Sequence, residues 1–188
     1  MEGAVKPVLP GMRDYAAVAS ELCEKALDDA RSQLHPLLHS VELHRLAQRT
    51  EFLQNFRSAL ERRIARKLAV WQPGVQAIFR YDEAGIQNTE NWDGSIRLLV
   101  KVPRLSDAVR MLGKTLDGAL MKCLQQMGWR HFQTRQSMLE IHQVTPGELR
   151  HGVGYAAMFY AVYTVPVRIW PQDGRTRQDF AGEWGVDL

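Results

Sequence analysis

The stretch VQAIFRYDEAGIQNTENWDGSIRLLVKVP, Val75 to Pro103, holds two alternating runs separated by a polar interval. In the first run Val75, Ala77, Phe79 and Tyr81 share one side, and Gln76, Ile78 and Arg80 the other. In the second, from Ser95 to Val102, Ile96, Leu98, Val100 and Val102 share a side. A period of two is the mark of a strand with one face on a core. The interval from Gly85 to Gly94 carries turn formers and polar residues and no period, so it reads as a polar arm anchored by Trp92. A connection of about a dozen residues without helical pattern suits a long antiparallel hairpin better than a crossover.

Upstream of this pair, Phe52, Phe56, Leu60, Ile64 and Leu68 recur every fourth residue, joined by Leu53, and define an amphipathic helix. Thr50 is the expected N-cap, Glu51 meets the positive end of the helix dipole, and the helix must end before Gln72 to Gly74. An earlier helix spans Asp14 to about Gln33, with Val18, Leu22, Ala26 and Ala30 on one stripe. Pro36 interrupts that pattern, and a turn or short second helix follows.

Downstream, Ser106 and Asp107 open a helix that runs to the break at Gly128, burying Leu105, Val109, Leu112, Leu116, Leu120 and Leu124. Gly113 and Gly118 cost helix propensity and are expected to permit close packing on the sheet. A short strand, SMLEIHQV, sets Leu139 and Ile141 against Glu140 and His142, and TPGELRHGVG reads as a turn. The run YAAMFYAVYTVPVRIW then reads as a strand apolar on both faces, with Tyr155, Phe159, Tyr163, Val165, Val167 and Ile169 on one and Met158, Tyr160 and Val162 on the other. Such a strand is covered by helices on both sides or buried against another subunit. Pro166 places an edge or a bulge there. The expected fold is α+β, an antiparallel sheet of about four strands with helices on one face, chiefly a long one. Residues 1–49 form an N-terminal helical extension, 50–171 the core domain, and 172–188 a tail that keeps Phe180 and Trp184.

At 188 residues the chain supports one well-buried core. Apolar residues make up 45% of it, with no run near the roughly 18 needed for a membrane span. The N-terminus, MEGAVKPVLPG, does not read as a signal peptide, no asparagine opens a glycosylation triplet, and a reducing cytoplasm is the expected setting. The net charge of +3 and pI near 9.0 are mild, but Arg57, Arg62, Arg63, Arg66 and Lys67 stand against the single acid Glu61. That run is a solvated helix face or a surface for an acidic partner or polyanion.

Residues that carry chemistry do not converge. Cys23 and Cys123 have no CxxC or Cys/His companions, which argues against a disulfide framework or structural zinc. His35 and His39 have ligand spacing only on a helix that Pro36 disturbs; His131, His142 and His151 are scattered around strand ends. No phosphate-cradling loop or nucleophile elbow is present. No catalytic set, metal or cofactor is expected.

The order of elements, with AIFRYDEAGIQNTENWDGSIRLLVKVP followed by a long helix and a closing aromatic strand, resembles the tail-terminator and neck proteins of long-tailed bacteriophages over roughly 50–171. The resemblance implies a virion structural protein, assembled in the host cytoplasm. Its subunits would form a homo-oligomeric ring, most commonly a hexamer, that caps the tail tube and joins the head connector. It implies no enzyme activity and no membrane. On this reading Trp92, Tyr155, Phe159, Tyr163, Phe180 and Trp184 are subunit-interface candidates. Arg57, Arg62, Arg63, Arg66 and Lys67 would face an acidic partner or passing DNA. The chain before Thr50 is longer than the small terminators need, and the tail is extra. A small nucleic-acid-binding or regulatory protein using the basic helix, and an α+β enzyme of unknown reaction, stay open beside it.

Overall fold

The computed structural model describes residues 13–82, 92–161 and 166–171, with the backbone alone at 130–131 and 159–161. The described helices are α1 (Tyr15–Ser32), α2 (Leu43–Leu46), α3 (Thr50–Trp71), α4 (Asp107–Gln126), α5 (Arg130–Gln133), α6 (Pro146–His151) and α7 (Tyr155–Ala161), with a 3₁₀ turn at Pro36–Leu38. The strands are β1 (Ala77–Arg80), β2 (Ile96–Lys101), β3 (Leu139–Val144) and β4 (Val167–Trp170), in the sheet order β3-β2-β1-β4.

The hairpin reading of Val75 to Pro103 holds: β1 and β2 pair antiparallel, with Ile78 opposite Val100 and Phe79 opposite Leu99. The sheet as a whole is α+β but mixed, which corrects the all-antiparallel expectation. After β2 the 20 residues of α4 carry the chain about 30 Å back along the sheet, so β3 starts at the same end as β2 and lies parallel to it, Ile96 beside Leu139. β4 closes the other side antiparallel to β1, with a register shift between Ile78, opposite Trp170, and Phe79, opposite Arg168. Pro166 immediately precedes β4, so its missing N–H falls outside the strand.

The period of two sorts β1 and β2 into two apolar layers. Ile78, Ile96, Leu98 and Val100 join one large core with Phe52, Phe56, Leu60, Ile64 and Leu68 of α3 and Leu112, Leu116, Leu120 and Leu124 of α4. Ala19, Leu22, Cys23, Ala26 and Ala30 of α1 belong to that same core. The opposite face, Ala77, Phe79, Tyr81, Leu99 and Val144, is covered by Leu149 of α6 and Ala156 of α7. Helices therefore lie on both faces, not one.

Three local readings give way here. TPGELRHGVG is not a plain turn but α6, opened by a capping box in which Thr145 and Glu148 satisfy each other's backbone N–H groups. It is closed by Gly152 at φ 60°, a left-handed cap that glycine adopts without a Cβ clash. The expected strand from Tyr155 is helical through Ala161, and among the described residues of that run only Val167–Trp170 is strand. The first seven residues, Tyr-Ala-Ala-Met-Phe-Tyr-Ala, contain no β-branched side chain and two kinds of strong helix former, so helix propensity wins. At α3 the N-cap is Arg49 and Thr50 is the first helical residue.

Gly113 and Gly118 separate cleanly. A Cβ on Gly113 would come within 2.8 Å of Ile141 Cδ1, so the glycine sets how closely α4 can lie on β3, whereas Gly118 meets nothing within 4 Å. Gly118→Ala should therefore raise stability by about 1 kcal/mol through helix propensity alone. Gly113→Val should lower it by about 1–3 kcal/mol through overpacking. Urea midpoints of the two variants check both signs.

Candidate functional site

The polar arm ends in a built corner. Trp92, 8% exposed, donates from Nε1 to the Ser95 carbonyl at 2.7 Å and packs on Phe56 and Phe132. Trp129 joins the same aromatic group, 4.8 Å from Phe56 between ring centres. Trp92 is thus committed to the protein's own core, where it pins the entry of β2 between α3 and α5. Asp93 beside it accepts from the Ser95 N–H at 2.8 Å and the Ser95 hydroxyl at 3.0 Å. Arg135 donates to the Asp93 carbonyl and to Ser95 Oγ. Burial opposes the Asp93 charge, but the Ser95 hydrogen bonds, with Arg97 and Arg135, outweigh it and hold the carboxyl below its ordinary value.

The basic run on α3 does not act as one surface. Arg57 is largely buried between Glu61 and Asp82, its Nε donating to Glu61 at 2.7 Å. Burial works against its charge, but the two carboxylates prevail and raise its pKa. Glu61, 1% exposed, also meets Arg80 of β1 at 3.5 Å, so this network ties α3 to the sheet. Arg63 donates to Asp29 of α1 at 2.9 Å, and Lys67 lies 3.7 Å from Glu21. The Lys25 hydrogen bond first, and then the Lys67 charge, hold Glu21 below its ordinary pKa. Arg63, Arg66 and Lys67 line a cavity of about 240 Å³ with Lys25 and Glu21, between α1 and α3. Arg62 is half-buried and does not line it.

A second concavity, of about 450 Å³, straddles the outer edge of β3. Ile141 and Gln143 reach it from the α4 side of the strand, His142 from the other side, and Leu105, Arg110 and Tyr155 form its walls. Tyr155 stacks on His142 with ring centres 4.4 Å apart, and Glu140 holds His142 Nε2 at 2.8 Å. Gln143 is fixed by two hydrogen bonds to the Ser106 backbone, 2.9 and 2.8 Å. Tyr155, 41% exposed, and Leu105, more than half exposed, give its walls an apolar part beside Arg110, His142 and Gln143. The sequence reading named Tyr155 but not the groove, whose walls come from three separate segments.

Of the other interface candidates, Phe159 lies in α7, and Tyr163, Phe180 and Trp184 fall outside the described residues. His39 Nε2 donates to the Leu34 carbonyl and His35 Nδ1 accepts from the Leu37 N–H, which commits both rings to the 3₁₀ turn. Among the described residues, no group of three or more metal-ligating side chains converges, and no helix is long and apolar enough to cross a membrane. Comparison with models of protein families, with characterised proteins and with solved structures finds no match to this chain.

The Asp93 corner has a pH signature. Because its folded-state pKa is depressed, its contribution to stability is complete above the ordinary carboxyl value of 3.8 and is lost as pH falls through the folded value. Acid titration of Asp93→Asn should show a shallower loss of stability below about pH 4 than the parent protein. The measurement is the denaturant midpoint against pH.

Proposed function

We propose that the protein is a self-assembling structural subunit whose β3 edge receives part of a second copy. Its proposed setting is a ring of the tail-terminator or neck type, between tail tube and head connector. The observation that carries this reading is the groove astride β3. An edge strand presents a row of backbone groups ready to pair with another chain, and natural sheets usually blunt such edges with charge, proline or a covering helix. Here the groove at the edge is walled by Leu105 and Tyr155, large apolar side chains partly in water, beside Arg110, His142 and Gln143. An edge with no strand partner among the described residues, with exposed apolar side chains beside it, suits strand addition, in which backbone hydrogen bonds give affinity and side-chain pockets give register. Closed rotational symmetry would use this surface once per subunit against a different surface of the neighbour.

The partly neutralised cationic cavity between α1 and α3 lies apart from this edge in the fold. On the same reading it is where an acidic partner surface or passing DNA would be met. Arg57 takes no part, since its charge serves the Glu61 and Asp82 network.

Light scattering on a sizing column tests the proposal. The parent protein should elute as an oligomer that dissociates on dilution, and the double variant Leu105→Asp/Tyr155→Asp should weaken association by roughly 30-fold or more, the loss expected when an anchor worth about 2 kcal/mol is removed. A parent protein that is monomeric at every concentration, or a double variant that assembles as well as the parent, overturns it.

A further inference from the structure

We propose that the cavity between α1 and α3 is a binding site for a phosphate group, carried by a small phosphorylated molecule or by a nucleic-acid strand. This narrows the acidic-partner reading of that cavity to one chemistry, and it does not need the ring, because the lining comes from a single chain. Among the described residues, Lys25 of α1 and Arg63, Arg66 and Lys67 of α3 line it with one carboxylate, Glu21. Leu22 and Val70 supply its apolar part. Its volume of about 240 Å³ is below the roughly 300–1,000 Å³ of pockets that enclose a whole small molecule, so it suits a charged group presented to it.

Sequence spacing and tertiary contacts both concentrate the charge. Arg66 and Lys67 follow Arg63 at i+3 and i+4, which gathers the three on one side of α3, where like charges oppose helix formation. Two acids of α1 hold the arrangement in place. Asp29 accepts from Arg63 Nε at 2.9 Å and from Nη2 at 2.5 Å, which uses one edge of the guanidinium and leaves Nη1 outside that pair. Glu21 accepts from Lys25 at 2.7 Å, and Lys67 stands further off, at 3.7 Å.

Phosphate suits this set better than a carboxylate does. A phosphate group presents more acceptor oxygens and more charge, so it can engage donors arriving from two helices at once, with arginine matching it through a planar fork and lysine as a point charge. The place of a carboxylate is already taken by Glu21. Its pKa is lowered first by the Lys25 hydrogen bond and then by the Lys67 charge, and the same cations would favour the more highly ionised form of a bound phosphate. Glu21 therefore steadies the two lysines and also competes with the ligand for them.

The experiment is isothermal titration calorimetry of the full chain with inorganic pyrophosphate, at fixed low ionic strength in a buffer without phosphate. Binding should saturate, and Lys25→Gln on α1 and Arg66→Ala/Lys67→Ala on α3 should each weaken it by about 10-fold or more. Lys122→Gln, at an exposed lysine of α4 outside the cavity, should leave it unchanged. Glu21→Gln should tighten binding by removing the competitor, a gain that a merely structural role would not produce. A short oligothymidylate added as competitor identifies the source: displacement of pyrophosphate makes it a nucleic-acid strand, and no displacement makes it a small phosphorylated molecule. No saturable binding of pyrophosphate, an equal loss in Lys122→Gln, weaker binding in Glu21→Gln, or displacement of pyrophosphate by a polyglutamate peptide would each overturn the proposal.

Discussion

The Asp117 carboxylate, buried in the middle of α4, is the fixed point on which the arrangement of the sheet depends. One of its oxygens accepts the N–H groups of both Met138 and Leu139, each at 2.8 Å. A carboxylate 9% exposed would be costly without such partners, and the first amides of a strand are costly when left unpaired. Each need answers the other. The pair anchors the start of β3 under α4, and Gly113, further back along α4, lets Ile141 come close behind it. From that anchored start the strand runs beside β2 in the parallel sense and becomes the edge of the sheet. The opposite edge, β4, is only four residues long, so β3 with its six is the longer unpartnered edge among the described strands.

Parts of this were legible in the sequence because a single period governed them. The stripe Phe52, Phe56, Leu60, Ile64, Leu68 is buried to 1% exposure or less along α3, and the alternation around Ile78 and Leu98 gives the β1–β2 hairpin. The antiparallel expectation fails at β3, which pairs parallel to β2, although a strand, a long helix and another strand in succession is the pattern of a parallel crossover. Asp117 itself carried no local signal, since a lone acid inside a leucine-rich helix reads as solvent-facing until its partners twenty residues on are placed. Around Tyr155 the aromatic content drew the reading toward a strand, while the absence of β-branched residues before Val162 pointed to the helix found there. Thr145-Pro-Gly-Glu148 was a readable capping box that the turn reading passed over.

The candidate site was less legible, for a physical reason. Cations cluster visibly on α3, but the acids that answer them, Asp29 and Glu21, stand on α1, and Asp82 follows β1. Counting charge along one helix overstates how much of it is free. Most of the arm that Trp92 was expected to anchor, residues 85–91, lies outside the described residues, and within them Trp92 packs on Phe56 and Phe132, which also meet Trp129. The β3 groove is tertiary by nature, since it joins segments that no periodicity relates.

A groove with exposed apolar walls, on a sheet edge without a strand partner among the described residues, has a physical logic if something fills it, and a neighbouring copy is the occupant that the proposed ring supplies. The most direct measurement is amide hydrogen exchange along the chain at protein concentrations below and above assembly. Exchange should slow on assembly at Leu139–Val144 and around Tyr155 to Met158, with the α1–α3 surface unchanged. Slowing confined to other surfaces, with β3 exchanging equally fast at every concentration, would contradict the account.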